Sequence, residues 1–222
     1  MSKLYFRYGA MNSGKSTALL QAAFNYEERG QQVLLAKPAV DTKGDTAVVS
    51  RLGVSKAVDF TVPADASIRH LFGEYRQAKR AETGADVSCL LVDEAQFLTG
   101  DQVDDLLRIA VLDGIPVLAY GIRTDFLTRA FPGSARLLEV AHSLEELKTI
   151  CRCGRKAVFN ARRVGDTIVF DGDQVAIDGV AVTYESLCGN CYLGASGGAL
   201  GATPSAASTG LAAAPETEGD SS

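Results

Sequence analysis

"YGAMNSGKST", residues 8–17, decides how the rest of the chain is read. Gly9 to Ser16 satisfy the phosphate-binding pattern G-x-x-x-x-G-K-[ST] at every fixed position. Glycines at 9 and 14 permit backbone torsions that a side chain would forbid. The N–H groups of Gly9, Ala10, Met11, Asn12, Ser13, Gly14, Lys15 and Ser16 are therefore expected to cradle the phosphates of a triphosphate. Lys15 would reach the β- and γ-phosphates as a point charge, and Ser16 would offer its hydroxyl to Mg2+. A chance match in a glycine turn is the plain alternative, so the flanks matter. Upstream, "LYFRY" (Leu4 to Tyr8) has the short apolar and aromatic character of a buried strand. Downstream, Ala18, Leu19, Ala22, Ala23 and Tyr26 recur at helical spacing, and Gly30 stands where a helix would end. Strand, glycine loop and helix is the context that the motif requires.

Working outward, "VLLA" (Val33 to Ala36), "CLLVDE" (Cys89 to Glu94) and "IPVLAYGI" (Ile115 to Ile122) read as further buried strands. Helical stretches around Ile68 to Arg80 and Asp101 to Leu112 lie between them, so the body alternates strand and helix as a doubly wound parallel sheet does. From about Cys151 the texture changes to short β-like runs, "AVFNARRV", "TIVF" and "VAVTY", bracketed by cysteines. The last segment, beginning "GASGGALGATPS", is too poor in large apolar groups to offset chain entropy and reads as a disordered tail.

Composition narrows the function classes. A chain of 222 residues with 46% hydrophobic content can bury one good core and a small appended module, which disfavours large multi-domain motors. The net charge is −5, with no long Lys/Arg run, so a surface that tracks nucleic acid is not expected. The apolar stretch at the start is too short for a secretory signal, and no run approaches the roughly 18 apolar residues that span a bilayer. A cytoplasmic protein is expected, with neither membrane nor nucleic acid as partner. Its five cysteines then call for packing, metal or catalysis rather than disulfides.

At the end of the apolar strand, Asp93 suits a metal role beside the glycine loop. Glu94 would point to the other side of the strand end and could accept a proton from an attacking hydroxyl. Two solvated carboxylates leaving the core are the alternative. Cys151 with Cys153 and Cys188 with Cys191 can close a tetrahedral zinc site, with buried inert thiols as the alternative. Such an ion would tie the start of the segment to its end, and loss of one thiolate would loosen that segment while sparing the glycine loop. Cys89, inside an apolar strand, reads as core. His70 and His142 read as ordinary helix residues. The aromatics Phe97, Phe126, Phe131 and Tyr184 leave a base-stacking role open.

The glycine loop, "DEAQF", "YGIRTDF" and the cysteine-bracketed segment, in this order, resemble the zinc-containing (type II) thymidine kinases shared by many bacteria and the vertebrate cytosol. "GAMNSGKST", "DEAQF" and "TICRCGRKA" together carry the likeness, which covers roughly residues 3–193. It implies an α/β P-loop NTPase-type parallel sheet flanked by helices, as a kinase domain over 1–149. A small zinc-ribbon-like lid over 150–193 would follow, with 194–222 as tail. The implied reaction is transfer of the ATP γ-phosphate to the 5′-hydroxyl of thymidine or deoxyuridine. By matching motif, Glu94 would be the proton acceptor, while Asp93 and Gln96 would belong to the nucleotide site. Met11, Phe97, Ile122, Phe126, Asn160 and Tyr184 would surround the nucleoside, and the main chain of Ile177, Asp178, Gly179 and Val180 would meet the base edge. Cys151, Cys153, Cys188 and Cys191 would hold structural Zn2+. The likeness further implies a homotetramer restrained by thymidine triphosphate. Lys43 stands where the family commonly places an arginine, whose donor geometry differs. "AIDGVAVTY" departs from the family's glycine-rich run.

Two other readings use the same motifs. A DNA-transaction ATPase with a "DEAQ" box would want a second motor domain and a basic groove. A non-enzymatic zinc-ribbon module would leave Glu94 unexplained, and would need more basic exposure than Arg152, Arg155, Lys156, Arg162 and Arg163 offer.

Overall fold

The computed structural model describes residues 1–39, 46–170 and 182–200. In chain order, the first half builds β1 (Leu4–Gly9), α1 (Lys15–Glu27), β2 (Gln32–Pro38), β3 (Ala47–Val49), β4 (Ser55–Ala57), β5 (Phe60–Val62), α2 (Ile68–Thr83) and β6 (Val87–Val92). A single 3-10 turn, Ala95–Phe97, leads to α3 (Gly100–Val111), β7 (Val117–Ile122), α4 (Pro132–Val140) and β8 (Ser143–Glu146). The remainder comprises β9 (Thr149–Ile150), β10 (Lys156–Ala157), β11 (Phe159–Val164), β12 (Thr167–Val169), β13 (Val182–Leu187) and α5 (Gly189–Ala195).

Six strands form one parallel sheet in the order β5-β2-β6-β7-β1-β8. The middle strands are nearly continuous apolar runs because helices cover both faces, and all six residues of β7 are buried. Alternation along each strand then divides the core. Leu34, Leu90, Val92 and Val117 face one way, with Phe72 of α2, Ile109 of α3 and Leu137 of α4. Val33, Leu35, Cys89, Leu91 and Tyr120 face the other way, against Leu19, Leu20 and Ala23 of α1. Each such large side chain contributes on the order of 1.5–3 kcal/mol by leaving water. Caps fix the helices: Ser67 accepts from the His70 N–H at 3.2 Å, and Thr99 forms a reciprocal box with Gln102 at the start of α3.

Because neighbouring strands run in parallel, their carboxyl ends share one edge. Gly9 pairs with Ile122 and Val92 with Ala119, which brings the glycine loop, Asp93 and the end of β7 together.

Gly30 ends the first helix as expected: it takes φ 70°, its N–H donates to the Glu27 carbonyl at 2.9 Å, and that of Gln31 donates to the Tyr26 carbonyl at 3.1 Å. Three details differ from the sequence expectation. His142 is not helical: it follows α4, and its Nδ1 accepts the Leu4 N–H at 3.1 Å, fixing the start of β1. Strand β8, "SLEE", carries no apolar run because it is a half-exposed edge strand. Gly194 and Ala195, grouped by composition with the tail, form the end of α5, whose Tyr192 is buried and donates its hydroxyl to the Phe126 carbonyl at 2.7 Å. Residues 196–200 follow α5 without regular structure, and the remainder of the expected tail, 201–222, lies outside the described residues.

A third, small core contains Cys151, Ala157, Ala161, Leu187, Cys188 and Tyr192. It sits under the sheet β12-β11-β13, beside the two-stranded β9–β10 ladder.

Candidate active site

The loop from Gly9 to Lys15 is shaped by two kinds of constraint. Gly14 takes φ 76°, the left-handed region that glycine enters without penalty, and Asn12 enters the same region at φ 66°. Gly9 is required by space rather than torsion: a Cβ there would stand 2.4 Å from Ser13 Oγ and 2.6 Å from the Leu147 carbonyl oxygen. Lys15 Nζ donates to the Ala10 carbonyl oxygen at 3.0 Å, inside the loop. Burial lowers the Lys15 pKa, and the charges of Glu94 and Asp93 oppose that shift.

Beyond the last residue of β6, Asp93 is 6% exposed and accepts from Ser16 Oγ at 3.5 Å. Burial, reinforced by the neighbouring charge of Glu94, raises its carboxyl to about 7. The Ser16 hydroxyl and the Asp93 carboxylate form an oxygen-only pair that suits a hard cation such as Mg2+. Glu94 has φ 49° and ψ 35°, a left-handed backbone that is uncommon for a residue with a side chain. Its carboxylate accepts from Gln96 Nε2, while Gln96 Oε1 accepts the Ile122 N–H at 3.2 Å. Both ends of the buried Gln96 amide are thus engaged, one holding Glu94 and the other the end of β7. Asp93 and Glu94 face different partners.

The strand pair β11–β13 meets this edge. Asn160 Oδ1 accepts the Met11 N–H at 2.7 Å, and its Nδ2 donates to the Thr124 carbonyl at 2.8 Å. Ser186, directly across from Asn160, donates its hydroxyl to the Met11 carbonyl. Two residues along, Arg162 lies across from Tyr184, and its Nε donates to the tyrosine hydroxyl at 3.3 Å. The Arg162 guanidinium also rests 3.6 Å from the ring centroid of buried Phe126. Phe97 meets Phe131 edge to face, with centroids 5.4 Å apart.

The sulfurs of Cys151, Cys153, Cys188 and Cys191 all lie within 4.8 Å of one another. Zn–S bonds of about 2.3 Å in a tetrahedron would separate sulfurs by roughly 3.8 Å, so the donor set and its size fit that ion. Within the cluster the shifts oppose one another. Against the upward push of burial, backbone hydrogen bonds at Cys153 and Cys188 hold Cys151 down to about 6, while side-chain hydrogen bonds with Cys153, Cys151 and Cys188 push Cys191 up to about 12. The fit to a metal therefore rests on the donor set and its spacing. Cys89, fully buried in β6, is pushed up to about 12 by burial and stands apart from the cluster.

The family model for thymidine kinase matches residues 2–192. The chain belongs to the thymidine kinase family. It is 45% identical over 190 residues to the thymidine kinase of Enterobacteria phage T4, covering 85% of this chain and 94% of the relative. The Idiomarina loihiensis thymidine kinase is 49% identical over 183 residues, 81% of this chain and 90% of the relative. That of Rhizobium meliloti is 47% identical over 191 residues, with 85% and 94% covered.

In this thymidine kinase family member, the loop, the Asp93–Glu94 turn and the four cysteines all fall inside the matched stretch. The geometry joins Met11 to Asn160, Glu94 to Ile122 through Gln96, and Phe126 to Tyr184 through Arg162. Lys43, Ile177, Asp178, Gly179 and Val180 lie outside the described residues. Arg162 and Ser186 were not singled out from sequence. Their available signal is period-two spacing: Asn160 and Arg162 share one strand face, as do Tyr184 and Ser186 on the paired strand.

Proposed function

We propose that this chain transfers the γ-phosphate of ATP to the 5′-hydroxyl of thymidine, with deoxyuridine as a second acceptor. The observation that carries this reading is the convergence of Lys15, Ser16, Asp93 and the Gln96-held Glu94 at one edge of the sheet. Ser16 and Asp93 would hold Mg2+, which when bound supplies positive charge to the phosphates. The loop amides and Lys15 orient the triphosphate and neutralise charge. As the nucleoside 5′-oxygen forms its bond to the γ-phosphorus, the bond to the β–γ bridging oxygen breaks and ADP leaves. Glu94 accepts the hydroxyl proton. Gln96 keeps that carboxylate aimed, so little reorganisation is needed during transfer.

The nucleoside would lie against Met11, Ile122, Phe97, Phe126, Asn160 and Tyr184, with the main chain of 177–180 at the base edge. The four cysteines would hold Zn2+ as a structural cross-link, since four thiolates leave no open position. The same reading divides the chain into a kinase domain over 1–149, a lid over 150–193 and a tail over 194–222, although β9 crosses the first of these boundaries and α5 the second. It also carries cytoplasmic residence, a homotetramer and restraint by thymidine triphosphate. No helix among the described residues is long and apolar enough to cross a membrane.

Incubating the purified chain with labelled ATP and each of the four deoxynucleosides tests the reaction. Thymidine monophosphate is the expected product. ATP turnover that ignores thymidine, or depends on DNA, would remove the assignment.

A further inference from the structure

We infer that Ser186 is a positioning residue for the phosphate loop, acting with Asn160 as a two-sided clamp on the Met11 peptide units. This rests on the ATP-binding reading above. In a phosphate loop the backbone N–H groups are the ligand-binding elements, so whatever fixes the peptide planes fixes the cradle. Met11 is held from both sides by the lid sheet: its N–H goes to Asn160 Oδ1 at 2.7 Å, and its carbonyl accepts from Ser186 Oγ. The two side chains can do this together because Asn160 of β11 and Ser186 of β13 are directly paired across the antiparallel ladder.

Both are almost entirely withdrawn from solvent, at 2% and 7% exposure. Met11 beside them is half-buried, so leaving its carbonyl unmet would carry a cost. Asn160 is itself fixed by its bond to the Thr124 carbonyl at 2.8 Å, so the clamp has a rigid back.

The consequence for the loop is specific. The Met11 N–H is directed at the lid, which leaves the remaining loop amides and Lys15 to meet phosphate. Next to the clamp, Asn12 turns into the left-handed region and its carbonyl accepts from Thr149 Oγ1 at 3.4 Å. Thr149 lies two residues before Cys151, and Ser186 two before Cys188. The chain therefore reaches the phosphate loop immediately ahead of each cysteine pair. The shape of the nucleotide cradle is set from the lid, not by the loop alone.

The test measures binding of β,γ-imido-ATP with magnesium, in the absence of any nucleoside, to the full chain and to Ser186→Ala and Ser186→Thr. Loss of one neutral hydrogen bond should weaken Ser186→Ala by roughly three- to tenfold. Ser186→Thr keeps the hydroxyl and should stay within about twofold of wild type, which a merely structural role for serine at a tightly packed position would not produce. Analogue affinity of Ser186→Ala within twofold of wild type would overturn the inference. Should that variant fail to fold, amide exchange on the wild-type chain decides. The Met11 amide should be strongly protected, and exchange at the rate of an open chain would overturn the clamp. Failure of the wild type to phosphorylate thymidine, with analogue binding intact, would remove the proposed reaction without touching this inference.

Discussion

Glu94 and Asp93 are adjacent in sequence yet held by opposite means, and their variants should separate. Glu94 is aimed by Gln96 through a hydrogen bond, on a left-handed backbone that the turn imposes. Glu94→Gln should keep ATP-analogue affinity and lose on the order of 10²- to 10⁴-fold in turnover, the usual contribution of a positioned base; steady-state kinetics check it. Unchanged turnover would place the base elsewhere. Asp93 pays for its location in stability. Its folded carboxyl is raised to about 7 by burial and by Glu94, so between about 4 and about 7 the folded state binds more protons than the unfolded chain. Stability from this group therefore falls as pH rises through that window. Asp93→Asn should lack this fall and be more stable than wild type at pH 8, by urea unfolding, while losing activity. A variant with the same pH dependence as wild type would contradict the assignment. Much at this scale was legible in the sequence, because the glycine loop and "DEAQF" are contiguous motifs whose chemistry depends on residue type. Gly9 was legible by identity but not by reason: only the fold reveals that Ser13 and Leu147 crowd it.

On the proposed reading the β11–β13 pair carries the nucleoside side, and its pairing was hidden from sequence for a geometric reason. Short β-like runs announce strands, but register decides that Asn160 meets Ser186 and Arg162 meets Tyr184. Arg162, read by composition as one of several basic residues, is 5% exposed and stacked on Phe126. A planar guanidinium can lie flat on that ring while its Nε reaches the Tyr184 hydroxyl, which a lysine ammonium cannot do in the same way. Arg162→Lys and Arg162→Met should both raise the thymidine KM by roughly two- to thirtyfold, the range for a desolvated cation–π contact, with the ATP KM changing much less. Equal changes in both constants would mean that Arg162 supports the fold in general rather than the aromatic wall. The central strands were easy to recognise for the converse reason: burial on both faces leaves uninterrupted apolar runs, whereas the edge strand β8 carries no such mark.

At the scale of the whole molecule, the contacts that join the lid to the phosphate loop span 149 residues for Met11 with Asn160 and 175 for Met11 with Ser186. No local pattern encodes such pairs, which is why the sequence treated the cysteine segment and the glycine loop as separable. On that view, loss of one thiolate would loosen the lid and spare the loop. The hydrogen bonds predict a different result. The small core around Cys151, Cys188 and Tyr192 has few large side chains, so a closed tetrathiolate would supply much of its rigidity. Ser186 and Thr149 stand just ahead of the two cysteine pairs and reach Met11 and Asn12. Slack introduced at Cys188 is therefore passed along β13 to the loop. Metal analysis of the wild type should find about one zinc per chain, and Cys188→Ser should contain much less. In that variant β,γ-imido-ATP affinity should fall along with thymidine affinity, each by several-fold, while the far-UV signal of the main sheet is retained. A Cys188→Ser chain that binds the analogue as the wild type does, yet has lost thymidine, would show that the lid moves independently of the loop. A fully active wild type without zinc would show that the thiols alone hold the small core together.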